Sequence, residues 1–301
     1  MTKPVLVIID PAIKLPAGAE RSAVEQSGDR LRLADPDQPQ LSVTDLGVTR
    51  GDGIFEAFGV SHGKVQAVEP HLSRLARSAK LLDLPELDLE VIEQGVRLAA
   101  REHEQVPFFM VKLIVTRGIE GVEEPTAWAL AFVGDDYTAR QQSGVKVVTL
   151  DRGYRHDVAQ TSPWLLQGAK TLSYAVNRAV IREAKRRGAD EVIFISSDGY
   201  VLEGPNSTVI LKSGDTFVTP RTDQGILVGT TQHALFGIIE SMGYATDYRY
   251  VEQHELTAAD GLWMVSSGQQ ISAVVELDGK PLDHDHELTQ ELLKRLVERS
   301  L

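Results

Sequence analysis

One polar stretch governs what this chain can fold into. From Gly134 to Gly144 it carries Asp135, Asp136, Gln141, Gln142 and Ser143 and loses the apolar patterning on either side. A break of that kind near the middle of 301 residues reads as a linker between two domains. Strand-like and helix-like periods mix on both sides, which points to an α/β or α+β chain. The expected division is 1–138 for a smaller N-terminal α/β domain, 139–144 for the linker and 145–301 for a larger, strand-rich domain.

In the first half, Phe55 to Val60 and Val65 to Val68 read as strands around the turn Ser61-His62-Gly63-Lys64. Leu72, Leu75, Ala76, Ala79 and Leu82 recur at helical spacing, and a second helix fits Leu89 to Glu102. Strands follow at Phe108 to Thr116 and Ala127 to Val133. In the second half, strands are expected at Val145 to Leu150, Glu191 to Ile195, Tyr200 to Leu202, Thr208 to Leu211, Thr216 to Val218 and Leu262 to Val265. Helices are expected over about 173–187, 231–242 and a last segment with Leu288, Leu292, Leu293 and Leu296. Residues 10–40, rich in Pro, Gly, Asp and Gln, read as loop with short strand at best.

The formal charge is −12, from 31 basic and 43 acidic side chains, which disfavours a nucleic-acid partner. There is no cysteine, so disulfides, thiolate metal sites and cysteine nucleophiles are excluded. No apolar run approaches the roughly 18 residues of a membrane span, and the expected location is cytoplasmic. Dinucleotide-binding, Walker and His-Glu-x-x-His patterns are absent, and the eight histidines are scattered, so no metal site is expected.

Three local features could carry chemistry. Lys170 follows the loop Ser162-Pro163-Trp164 and precedes a helix. Apolar neighbours such as Trp164, Leu165, Leu166 and Tyr174 would favour its neutral amine. On local grounds alone it reads rather as a solvated lysine near a helix start, since lysines are mostly exposed. Glu203 ends an apolar strand at the turn Gly204-Pro205, where a carboxylate could face a protonated heterocycle or simply cap a turn. Gly229-Thr230-Thr231 opens an amphipathic helix, a place suited to an anion or to an ordinary cap.

Together these features are similar to the class IV aminotransferases, the fold type IV enzymes of pyridoxal 5′-phosphate (PLP). The resemblance runs from about Leu41 onward through Gly51-Asp52-Gly53-Ile54-Phe55-Glu56, His71-Leu72-Ser73-Arg74-Leu75, Ala169-Lys170-Thr171-Leu172-Ser173, Glu203-Gly204-Pro205-Asn206-Ser207-Thr208 and Gly229-Thr230-Thr231. Within the family the chain resembles actinobacterial proteins labelled aminodeoxychorismate lyase or aminotransferase. The resemblance implies a two-domain fold whose larger C-terminal domain is a strand-rich pseudo-barrel. It implies PLP held as a Schiff base on Lys170, which then acts as acid and base at the substrate carbon. Glu203 is implied to face the pyridine nitrogen. Arg74, Gly229, Thr230, Thr231 and Ser267 are implied to contact the phosphate, and Asn206 a further cofactor contact. A homodimer is implied as well.

The same resemblance leaves the outcome open. Transamination between an amino acid or amine and a keto acid is the leading expectation. Elimination of pyruvate from aminodeoxychorismate is the alternative, and a PLP- or metabolite-binding protein without efficient turnover is a third. Relatives acting on D-amino acids carry an Arg-x-His pair shortly after Thr-Arg-Gly; here Thr116-Arg117-Gly118 leads into Ile119-Glu120-Gly121-Val122-Glu123-Glu124, which argues against that subtype. Arg50, Arg117, Arg152, Arg155 and His156 are candidate substrate contacts or surface charges.

Overall fold

The computed structural model describes residues 2–12 and 30–299, so most of the Pro/Gly-rich stretch near the N-terminus lies outside the described residues. The described chain forms two compact units. The first takes the residues up to Gly134 and, in addition, Ala169–Ser173; the second takes Asp135–Gly168 and Tyr174–Arg299. Residues 169–173 fall inside the expected second domain by sequence but pack with the first unit.

The first unit is built on a six-stranded antiparallel sheet. In chain order its elements are β1 (Val5–Ile9), β2 (Leu31–Ala34), α1 (Leu46–Arg50), β3 (Gly53–Ser61), β4 (Lys64–Val65), α2 (Val68–Leu81), α3 (Leu89–Glu102), β5 (Phe108–Thr116) and β6 (Thr126–Phe132). The strand order is β2-β1-β6-β5-β3-β4. Both longer helices lay an apolar stripe on this sheet: Leu72, Leu75 and Ala79 from α2, and Val91, Ile92, Val96 and Ala99 from α3. They cover Ile54, Phe58, Val111 and Leu113, all fully buried. Asp88 caps α3 by accepting from the Val91 amide. Val68, expected to end a strand, opens α2 instead.

The second unit holds a longer, mixed sheet in the order β11-β10-β9-β12-β13-β7-β8, with β14 beside β13. Its elements are α4 (Thr138–Ser143), β7 (Val145–Asp151), α5 (Val158–Thr161), α6 (Ala175–Arg186), β8 (Glu191–Ile195), β9 (Thr208–Ser213), β10 (Thr216–Pro220), α7 (Thr230–Ser241), β11 (Ala245–Arg249), α8 (Glu255–Ala258), β12 (Gly261–Ser266), β13 (Gln270–Leu277), β14 (Lys280–Pro281) and α9 (His286–Glu298). One core forms under Val147, Ile193, Val209, Met264 and Val274; a second forms where α7 and α9 pack on Phe217, Trp263 and Ile271.

Two local expectations meet a different structure here, and one strand is new. The stretch 139–144, expected as an interdomain linker, falls almost wholly in α4, residues 138–143, within the second unit. The Gln141 side chain donates to the Gln269 carbonyl at 3.0 Å, and Arg140 pairs with Glu191. Tyr200 to Leu202 is not a strand of its own but makes single bridges, Tyr200 to Glu252 and Val201 to Ile195. β13, between β12 and β7, was not anticipated, because Gln270 and Ser272 are polar and yet buried. No helix among the described residues is long and apolar enough to cross a membrane.

Candidate active site

In the first unit, the backbone around Lys170 is held against β3 by a single antiparallel bridge, Thr171 to Ile54. Lys170 donates its amide to Ser78 Oγ at 3.1 Å, and its carbonyl accepts from the Phe55 amide at 3.0 Å. Leu172 donates to the Gly53 carbonyl at 2.8 Å. This approach explains the Gly51-Asp52-Gly53 pattern. Gly51 ends α1 in the left-handed region, at φ 69°. A Cβ on Gly53 would lie 2.7 Å from the Val115 carbonyl oxygen and 2.8 Å from Leu172 Cδ1, so only glycine admits the segment.

Lys170 is half-buried, and its Nζ sits 4.5 Å from the centre of the Phe55 ring. Of the neighbours expected to desolvate it, Trp164 and Leu165 are themselves 73% and 47% exposed. Phe55 supplies the apolar face.

Beneath β3 lies a buried charged cluster. Arg74 donates through Nε and Nη2 to Glu56 at 2.8 and 2.6 Å, and His71 Nδ1 lies 2.7 Å from Glu56 Oε2. Burial alone would raise the Glu56 pKa, but the Arg74 charge and the hydrogen bonds from Arg74 and His71 outweigh it and bring it from 4.5 to about 2. Burial lowers the His71 pKa below its ordinary 6.5 despite the opposing hydrogen bond and charge of Glu56, with Arg74 and Lys170 adding to the lowering, so the ring is neutral near pH 7. A carboxylate only accepts, so Nδ1 carries the proton. Glu56 and His71 lie within the quoted motifs without a role assigned from sequence. The signal for them was the spacing of His71 and Arg74, three apart on one face of α2.

In the second unit, Glu203 follows Leu202, and its carbonyl accepts from the Phe194 amide at 2.9 Å. Its carboxylate Oε2 accepts from the Leu227 amide at 3.1 Å. Gly204 has no room for a side chain: a Cβ would meet Ser207 Oγ at 2.4 Å and Met264 Cε at 2.8 Å. The Pro205 carbonyl accepts from Tyr174 Oη and Asn177 Nδ2, at 3.1 and 2.7 Å. Asn206, at the tip of this turn, is exposed.

Gly229 is the cap residue of α7, and a Cβ there would lie 2.5 Å from Thr208 Oγ1. Thr230 and Thr231 are buried in its first turn. A glycine cap puts no side-chain oxygen over the positive end of the helix, which suits a phosphate. Ser267 lies in the turn from β12 to β13, and its carbonyl accepts from Gln270 Nε2 at 2.6 Å.

The other candidate cations have structural partners. Arg117 pairs with Asp52 at 2.7 Å and donates to the Leu82 and Asp83 carbonyls. Arg155 and His156 both meet Asp198. The Arg152 guanidinium stacks 4.5 Å from the Phe194 ring and donates to Tyr154 Oη. Arg50 is exposed.

Residues 53–277 match the sequence model of the amino-transferase class IV family. A Mycobacterium tuberculosis protein named bifunctional aminodeoxychorismate lyase / D-amino acid transaminase is 43% identical over 260 residues, 83% of this chain and 90% of its own. A fold IV transaminase of Curtobacterium pusillum is 48% identical, with a TM-score of 0.91 over 99% of this chain and 98% of its own. A hypothetical aminotransferase of Mycobacterium tuberculosis, solved in a PLP-bound form, is 38% identical, with a TM-score of 0.87 over 99% of this chain and all of its own. Its form bound to alpha-ketoglutarate and PMP is 40% identical, with a TM-score of 0.85 over 91% and 98%.

Proposed function

The chain belongs to the class IV aminotransferases, with their fold type IV architecture, and on that premise we propose that it moves an amino group from an amino acid or amine to a keto acid with Lys170 as its reactive lysine. The cofactor is pyridoxal 5′-phosphate, which when bound supplies an electron sink for the bonds at the amine-bearing carbon.

The observation that carries the reading is the placement of Lys170. A half-buried amine over Phe55, on backbone fixed to β3 and Ser78, is positioned rather than solvated. The residues present fit the cofactor. Lys170 would hold the cofactor at its aldehyde carbon and would move the proton at the substrate carbon. Glu203, oriented by the Leu227 amide, would keep the ring nitrogen of the cofactor protonated. Arg74 would bind the phosphate, with its guanidinium orientation set by Glu56. Gly229, Thr230, Thr231 and Ser267 would supply further phosphate contacts, and Asn206 a peripheral one.

Elimination of pyruvate from aminodeoxychorismate, giving 4-aminobenzoate, is the second reading. The double name of the 43%-identical relative favours it. That name also keeps D-amino acids among the donors, against the expectation drawn from the missing Arg-x-His pair. Alpha-ketoglutarate, present in one similar structure, is a suitable first acceptor. A homodimer is part of the proposal, supported by the exposed apolar side chains of Trp164, Leu165 and Val176. So are a cytoplasmic location and the lack of a nucleic-acid partner, the latter supported by the charge of −12.

The test uses purified protein loaded with PLP. Its visible absorbance should be bleached by borohydride, and Lys170→Ala should lose both that response and at least about a thousandfold in rate. A bleachable band that persists in Lys170→Ala would overturn the assignment. Formation of alanine from pyruvate with an amine donor reports transamination, and release of 4-aminobenzoate without alanine reports the lyase.

A further inference from the structure

Behind Glu203 lies a polar link that the reaction itself does not require. Arg152 donates from Nε to Tyr154 Oη at 2.8 Å, and Tyr154 Oη donates in turn to Gln167 Oε1 in a short hydrogen bond. Gln167 also donates to the Leu165 carbonyl at 3.1 Å, so its side chain is held at both ends.

Gln167 backs the segment that precedes α7. Gly225 sits in the left-handed region at φ 76°, and a Cβ there would lie 2.7 Å from Gln167 Cβ. Two residues on, the Leu227 amide donates to Glu203 Oε2. The Tyr154 ring packs in one cluster with Phe194, Leu202 and Ile226, which are the backbone partner of Glu203, the residue before it and the residue before Leu227. Burial raises the Tyr154 pKa above its ordinary value and outweighs the Arg152 charge and hydrogen bond that oppose it, with the charge of Glu203 a lesser contribution in the same direction as burial. Tyr154 is therefore a neutral hydroxyl that accepts from Arg152 and donates to Gln167.

We propose that Tyr154 and Gln167 are positioning residues for Glu203: they fix the Gly225–Leu227 backbone whose amide holds the Glu203 carboxylate. The proposal rests on the reading of Glu203 as the partner of the cofactor ring nitrogen. Neither side chain takes part in proton transfer. Arg152, a candidate substrate contact by sequence, belongs to this support instead.

The experiment compares wild type, Tyr154→Phe, Gln167→Leu and the double variant. Each is titrated with PLP, and the pH midpoint of the bound visible band is recorded. Thermal unfolding of the apo proteins is measured alongside. Each single variant should bind PLP several-fold to about tenfold more weakly, the scale of one lost hydrogen bond. Each should also move the band midpoint by about half a unit or more, since a looser Glu203 holds the ring nitrogen less firmly protonated. Apo unfolding temperatures should stay within about 4 °C of wild type. The double variant should match the single ones, because both side chains act through one link.

Unchanged band midpoints in the single variants overturn the proposal, as do effects that add in the double variant. A loss of PLP affinity matched only by a collapse of apo stability also overturns it, since the role would then be structural. If wild type itself takes up no PLP, the reading of Glu203 fails and the proposal with it.

Discussion

Arg74 grips Glu56 through two nitrogens at 2.8 and 2.6 Å, and Glu56 has no contact with solvent. Removing one member of such a pair leaves a buried charge uncompensated. Glu56→Gln is therefore expected to cost about 3–5 kcal/mol at pH 7, measured by urea unfolding of the apo protein. The folded pKa of Glu56, about 2, lies below its ordinary 4.5. Its stabilisation is fully present above about pH 4.5 and fades as the pH falls toward 2. The gap between wild type and Glu56→Gln should narrow over that window. A gap as wide at pH 3 as at pH 7 would contradict the assignment.

Glu191 has the opposite dependence. Burial pushes its carboxyl up from 4.5 to about 7, with Arg140 at 3.2 Å opposing only in part. The buried acid is retained in its neutral form, so the folded state is favoured below about pH 4.5 and loses that advantage as pH rises through 7. Glu191→Gln should flatten this decline and equal or exceed wild type in stability at pH 8. Unfolding midpoints at pH 5 and pH 8 decide it; identical slopes for the two proteins would show that Glu191 is ionised throughout.

Gly53→Ala places a methyl group against the Val115 carbonyl and Leu172. The expected cost is about 1–3 kcal/mol in stability. The segment carrying Lys170 moves before the β3–β5 ladder does, since a few backbone hydrogen bonds hold the former and a nine-residue register holds the latter. PLP uptake should accordingly fall more than thermal stability does. Retention of full affinity alongside a lowered unfolding temperature would mean that the segment tolerates displacement.

Much of the fold was legible because its periods are clean. α3 and the strands β5 and β8 lie where the apolar spacing put them. α4 was not legible: it buries none of its own side chains, and its partners Gln269 and Glu191 are far away in sequence. β13 was hidden because Gln270 and Ser272 break the apolar run although the sheet buries them. At the site, the candidate residues could be named from motif order, whereas their environments could not. Lys170 is flanked in sequence by Trp164 and Leu165 but faces Phe55 in space. Likewise, Tyr154 and Gln167 show no pattern from which their link could be read, because it joins two loop side chains.

The pairing of residues 170–172 with β3 has a consequence for how the protein is made. The Ser78 hydroxyl, the Phe55 amide and the Gly53 carbonyl all find their partners in residues 170–172. During synthesis the six strands of the first sheet leave the ribosome well before those residues do. Until then these three groups must be satisfied by water. Among the described residues, the first unit is completed by a segment from the second half of the chain, the one that carries Lys170.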